Sequence, residues 1–447
     1  MEEREAIRRL GFESLRKGQE EAVKTLISGK SCYCVLPTGF GKSAIFIIPP
    51  LVNNWTNLIF TPLVALMRDH YLNLINHGLS ARLISSEQSK KENEAALEAY
   101  SANEAQFLFV APERVLDDRF REVIKAKPPD MVTIDEAHVA SEHALSFRPS
   151  YCKIAPYVKL AKVTLVLTAT SPREVERDIF EIFDLPADTK RIIYLPRREN
   201  LKLSSLIWTG DLDLVNRFQG SGIVYCSTIR EVERLYDCFK DSISGGCTIY
   251  HGQLKGRSLN QQDWMTGEKR VMICTNAFGL GINKLDTRFV IVRDVPATLE
   301  ELAQLFGRAG RDGLEANCVM YYDQQSIKTQ EFLISCRYPG PAEIIAAYNV
   351  IKKNPGLTYL EIAKRAGINK YSIRAVMSIL QSFNVVSDKK VTGNIKDVDF
   401  RLLRKKRRLA EKKFKKVLGF HHAKDKVKYL EKHISPEGTQ LETGTVL

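Results

Sequence analysis

The chain has 447 residues, 44% hydrophobic and 27% charged, which suits about three ordinary globular domains. Its formal charge of +13 points to a polyanionic partner, and fourteen Lys and Arg against three acids between Arg401 and Lys432 put most of the excess in one C-terminal segment. No apolar run reaches the ~18 residues of a membrane span, Met1-Glu-Glu-Arg-Glu5 does not read as a secretory leader, and nine scattered cysteines without C-x-x-C argue against a disulfide scaffold or zinc ribbon, so a reduced intracellular protein is expected.

Apolar, β-rich runs at Ser31–Leu36, Asn57–Thr61, Phe107–Ala111, Met131–Asp135 and Thr164–Thr168 alternate with helical stretches and predict one sheet. A second is predicted from Ser221–Ser227, Cys247–His251, Arg270–Thr275, Arg288–Arg293 and Cys318–Asp323. Strand alternating with helix predicts an α/β fold of parallel sheets covered on both faces, with the working loops at the strand carboxyl ends. The polar run Pro196-Arg-Arg-Glu-Asn200 marks a boundary near Leu195–Leu203. Beyond Asp323 helices are predicted at Ile344–Lys353, Tyr359–Ala366 and Tyr371–Phe383, with Gly367 supplying a turn and small Ala363 at the helix crossing. Val385–Thr392 would then be a wing; an ordinary helical hairpin is the alternative. The expected units are 1–198, 199–336, 337–395 and a basic tail, 396–447. That tail either meets nucleic acid, stays a solvated face, or carries an import signal in Arg404-Lys-Lys-Arg-Arg408.

Three short runs carry the chemistry. Pro37-Thr-Gly-Phe-Gly-Lys-Ser43 reads as a phosphate-binding loop. Pro37, Thr38, Gly39, Phe40 and Gly41 would bring backbone to phosphate oxygens, Lys42 would reach the β and γ phosphates, and the Ser43 hydroxyl would serve Mg²⁺. Leu36 stands where the usual first glycine would be. Asp135 follows a hydrophobic strand, so its carboxylate would face Mg²⁺, with Glu136 orienting or deprotonating water and His138 a further participant. In Gln304-Leu-Phe-Gly-Arg-Ala-Gly-Arg311, Arg308 and Arg311 would share a helical face and act as arginine fingers from a second lobe. Gln304, one turn earlier, would position water or the γ phosphate. ATP and Mg²⁺ are the expected cofactors.

These motifs resemble superfamily 2 helicases, and the RecQ family more closely still. The similarity runs through Leu10-Gly-Phe-Glu-Ser-Leu-Arg-Lys-Gly-Gln19, Thr61-Pro-Leu-Val-Ala-Leu-Met-Arg-Asp69, Ala111-Pro-Glu-Arg114, the Asp135 box and Phe147-Arg-Pro149. It continues in Thr168-Ala-Thr170, Tyr225-Cys-Ser227, Ala277-Phe-Gly-Leu-Gly-Ile-Asn-Lys284 and Gly307–Gly313. The resemblance implies two RecA-like lobes followed by a winged-helix domain, with Arg16 and Gln19 reading adenine. It also implies ATP-driven 3′→5′ unwinding of duplex DNA by translocation on one strand, with single strands and duplex junctions as partners, in repair or recombination. Phe147 and Arg148, the loops after Thr61, Ala111 and Thr168, and Tyr225–Thr228 would touch that DNA.

Three departures from the family pattern stand out. His143 occupies a position where a tryptophan is expected in the aromatic loop that couples DNA to hydrolysis, which predicts weaker stimulation by DNA. Only Cys336 lies where four zinc-binding cysteines would be, so no zinc is expected. The basic tail stands in place of the family's further C-terminal domain. Two other readings remain open: a translocase or RNA-dependent ATPase that opens no long duplex, and a passive DNA-binding scaffold.

Overall fold

Seven parallel strands make the sheet of the first lobe: β1 (Cys32–Val35), β2 (Asn57–Phe60), β3 (Ala81–Ile84), β4 (Phe107–Val110), β5 (Met131–Ile134), β6 (Val163–Thr168) and β7 (Lys190–Ile193). The computed structural model describes residues 1–434 except 38–39, 63, 142–148, 170, 195–197, 209–212 and 279–283. The strands lie in the order β3-β4-β2-β5-β6-β1-β7. Both faces are covered: Tyr33 and Val35 enter one core while Cys32 and Cys34, alternating with them, enter the other. Because β5, β6 and β1 are neighbours, the loops at their carboxyl ends converge. That convergence gathers Lys42, the Asp135-Glu136 pair and Thr168 in one place.

The second lobe is a parallel sheet of β8 (Leu201–Ile207), β9 (Ser221–Cys226), β10 (Cys247–Tyr250), β11 (Val271–Thr275), β12 (Thr287–Val292) and β13 (Ala316–Tyr322), ordered β10-β11-β9-β12-β13-β8. Strands β3, β7 and β8 are additional to those predicted. All three are sheet edges with partly exposed side chains, so none carries the continuous apolar run of a central strand. Since β8 begins at Leu201, the connection between the lobes ends at Asn200.

A third unit has its own core. The helices Pro341–Lys353, Tyr359–Ala366 and Ile373–Ser382 pack around Ile344, Ile351, Ile362, Val376 and Leu380. Thr358 caps the second helix in a reciprocal box with Glu361, and Gly367 ends it in the left-handed region at φ 65°. A hairpin of β14 (Val386–Ser387) and β15 (Lys390–Val391) follows, turned by Asp388 and Lys389, both left-handed. The helices and wing have the winged-helix order that the sequence predicts.

The segment expected as a basic tail is, over its described part, folded. It forms a 23-residue helix, Phe400–His422, and a second, Lys426–Ile434. Asp399 caps the first by accepting from the Arg401 and Leu402 amides, each at 2.9 Å. Phe400 and Leu403 pack against the winged-helix core, whereas Ala410, Phe414, Val417 and Phe420 are buried in the core of lobe 2. The correction has a plain cause. The spacing of 410, 414, 417 and 420 is an apolar helical stripe, which the density of charge around it conceals. Among the described residues no helix is long and apolar enough to cross a membrane.

Candidate active site

The acid pair sits where β5 ends. Asp135 is 4% exposed, and its Oδ1 has no hydrogen-bond partner among the described residues. Burial and the neighbouring Glu136 carboxylate push its pKa up to about 6. Glu136 itself has left-handed backbone at φ 48°, a conformation uncommon outside glycine. Lys42 Nζ donates to Glu136 Oε1 at 3.3 Å, and His138 Nδ1 lies 3.4 Å from Glu136 Oε2 and 3.2 Å from Thr168 Oγ1. Burial opposes ionisation of Glu136, but Lys42, His138 and Arg308 outweigh it and hold its pKa below the ordinary glutamate value. An ionised carboxylate therefore adjoins a buried one whose Oδ1 finds no protein donor among the described residues. That donor set fits Mg²⁺, which Asp135 and the Ser43 hydroxyl at the start of the Ser43–Asn53 helix would hold.

Behind the loop, Gln19 Nε2 donates to the carbonyls of Phe40 and Gly41 at 2.8 and 2.9 Å, and its Oε1 accepts from the Arg16 amide at 2.8 Å. Gly41 has φ 75°, which favours glycine, and a Cβ there would lie 2.6 Å from Gln19 Nε2 and push that side chain from its place. The Arg16 guanidinium lies 5.4 Å over the Phe40 ring, whose other neighbour is Tyr194 with centroids 5.2 Å apart. The Tyr194 contact was not legible beforehand, since β7 is an edge strand with a weak sequence pattern. Thr38 and Gly39 lie outside the described residues, while Pro37 and Ser43 flank them half-buried.

Lobe 2 presents its arginines from the loop after the Leu299–Phe306 helix, which Thr298 caps by accepting from the Glu301 amide at 3.1 Å. Gln304 lies on this helix, and Gln304, Arg308 and Arg311 are half-buried. The charge of Arg308 also reaches Glu136, as the least of the influences that lower its pKa. Burial, with Arg308 and Arg198 nearby, pushes Arg311 down to about 10. Arg198, which sequence reasoning passed over as linker, is part of this cluster. Its Nη2 donates to the Ala309 and Gly310 carbonyls at 2.6 and 2.5 Å, and Asn200 Nδ2 donates to Gly310 and Leu314 carbonyls, each at 2.9 Å. Gly310 has φ 54°, and a Cβ there would lie 2.6 Å from Asn200 Nδ2.

Of the expected DNA contacts, Phe147 and Arg148 lie outside the described residues, as does His143. Thr61 is buried at the end of β2, its hydroxyl unpartnered among the described residues. Thr228 caps the Ile229–Phe239 helix, accepting from the Glu231 amide at 3.2 Å.

A DEAD/DEAH box helicase model matches residues 16–178, and a helicase conserved C-terminal domain model matches 201–313. The chain is 32% identical over 354 residues to the probable ATP-dependent DNA helicase RecS of Bacillus subtilis, covering 77% of this chain and 71% of that one. The chain belongs to the RecQ family of superfamily 2 helicases. It is also 34% identical to the ATP-dependent DNA helicase RecQ of Bacillus subtilis, over 72% of this chain and 56% of that protein. The chain thus spans little more than half the length of this RecQ relative. Among solved structures, Mycobacterium smegmatis helicase Lhr bound to ssDNA and AMP-PNP matches with TM-score 0.56 at 17% identity, over 85% of this chain and 57% of that one. Saccharomyces cerevisiae Dbp5 bound to RNA and ADP BeF3 matches with TM-score 0.57 at 20% identity, over 72% and 88%. Both likenesses concern the two-lobed fold alone.

Proposed function

We propose that this RecQ-family chain is an ATP-dependent DNA helicase that moves 3′→5′ along one strand and serves repair or recombination. The observation that carries the reading is the Lys42–Glu136 ion pair of lobe 1, on whose carboxylate the charge of Arg308 from lobe 2 also acts. Lys42 gives up Glu136 for the β and γ phosphates when ATP enters. Glu136, thus released, orients a water and accepts its proton. Arg308 and Arg311 stabilise the charge that develops on the transferring phosphoryl group, and Gln304 orients the same region. Mg²⁺, held by Asp135 and Ser43, would neutralise phosphate charge. Arg16 and Gln19 fix the base end, Gln19 by tying the loop backbone from behind. Since the arginines belong to lobe 2 and the lysine to lobe 1, the reaction needs the lobes together and hydrolysis releases them.

DNA as substrate is supported by the named activity of the relatives. The proposed contacts are Thr61 and Thr228 in the two lobes, Phe147 and Arg148, and the exposed cations of the Phe400–His422 helix. Translocation without long unwinding is the second reading, favoured by the single Cys336 where a four-cysteine module would stand. ATP hydrolysis and strand separation measured together on 3′-tailed and 5′-tailed duplexes separate the two. Opening of the 3′-tailed duplex alone is expected. Hydrolysis without opening of either would leave the translocase, and opening of the 5′-tailed duplex alone would reverse the polarity.

A further inference from the structure

The Phe400–His422 helix reaches further than the core it helps to fill. Lys413 Nζ donates to Glu300 Oε1 at 3.1 Å, and both side chains are largely shielded, at 16% and 18% exposure. Glu300 stands in the first turn of Leu299–Phe306, one turn before Gln304, on the helix that leads into Arg308. The same two side chains line a cavity of about 80 Å³ with Lys412 and Lys416 on one side and Glu174 and Val175 of lobe 1 on the other. Glu174 lies in the first turn of the Arg173–Ile182 helix, which follows the loop after Thr168. A basic helix anchored to lobe 2 therefore faces an acidic helix start on lobe 1, beside the cleft where the nucleotide chemistry is placed. Charge at Glu300 and Lys413 also reaches His138: after burial, Glu136 and Lys42, the carboxylate raises and the ammonium lowers its proton affinity.

We propose that Lys413 is a positioning residue for ATP hydrolysis. By holding Glu300 at one end of the arginine helix, while Lys412 and Lys416 attract Glu174, it sets how Arg308 approaches the acid pair. The proposal rests on the ATP-site reading above and adds a part of the chain outside both helicase-domain matches. Mere bracing of two helices within lobe 2 would give the pair a role in stability and none in turnover.

The test is steady-state ATP hydrolysis by the full chain with saturating single-stranded DNA. Lys413→Ala and Glu300→Gln should each lower kcat about tenfold, since small misplacement of a reacting group is costly, with KM for ATP little changed. The double variant should be no worse than either single one, because both remove the same contact. Lys413→Arg should restore most of the rate, and Glu174→Lys, which sets a cation against Lys412 and Lys416, should also lower kcat. Lys42→Ala is the control: turnover that survives it sinks the ATP-site reading itself. If Lys42→Ala is dead but Lys413→Ala keeps the parent kcat, the positioning role alone is overturned. A fall in kcat matched by a fall in Tm, and not rescued by Lys413→Arg, also overturns it and leaves a structural brace.

Discussion

Replacing Arg401, Arg404 and Arg408 with Gln tests whether the C-terminal helix meets a phosphate backbone. Not all of its charge is available. Arg407 pairs with Glu411 at 3.0 Å, and Lys413 with Glu300. Arg401, Arg404, Lys405, Arg408 and Lys415 are exposed and recur at helical spacing on one face. At 1.5 Å per residue they extend over about 21 Å. Each cation that neutralises a single-strand phosphate contributes ~0.7 to the salt slope of binding, so removing three should flatten it by about 2. Between about 50 and about 200 mM salt, the variant should then lose roughly twentyfold less affinity than the parent. Anisotropy of a labelled oligothymidylate at several salt concentrations, without nucleotide, reads this directly. The buried face of the helix is untouched, so Tm should hold. Parallel slopes for parent and variant would show that the stripe is only a solvated face.

Three other outcomes are expected. Arg308→Ala should cut kcat for ATP by about 10³-fold or more, as removal of an arginine finger does, with lobe 1 still binding nucleotide; a loss below tenfold in single-turnover hydrolysis would remove Arg308 from the site. Phe414→Ala should cost about 3–5 kcal/mol, because a ring 4% exposed leaves a cavity in the lobe 2 core; urea unfolding with an unchanged midpoint would mean the helix is not docked. His70, packed against Phe46 and Phe109, is pushed down to about 4 by burial and by the charge of Lys42. The unfolded chain therefore binds a proton below its ordinary 6.5 that the folded one refuses, and stability should fall as pH drops from 6.5 to about 4, by up to about 3 kcal/mol. His70→Gln should lose less over that window, and equal losses in urea midpoint would refute the assignment.

Most of the candidate site could be proposed from the sequence because its parts are local. A phosphate loop needs glycine at Gly41 and a lysine beside it, and an acid pair needs a buried strand before it; both leave their mark within a few residues. The central strands were legible for the same reason, being apolar throughout. What escaped was set by long-range contact. Arg198 looks like any linker arginine until the chain brings it against Ala309 and Gly310, more than a hundred residues on. Edge strands β3, β7 and β8 alternate too weakly to be told from loop. The C-terminal helix was misjudged for another reason: its charges dominate any composition window, although the stripe Ala410, Phe414, Val417 and Phe420 was present to be read.

The ties from Arg198 and Asn200 to the arginine loop have a mechanical meaning. Those residues end the connection between the lobes, so in the motor proposed above Arg308 and Arg311 would ride close to the fulcrum. A rotation that sweeps the far rim of lobe 2 through a long arc shifts them only slightly. The proposed chemistry would then work on the short arm of a lever and any DNA-gripping surface on the long one. A small change at the nucleotide would be magnified into a stroke, with Gly310 and its two tethers as the bearing.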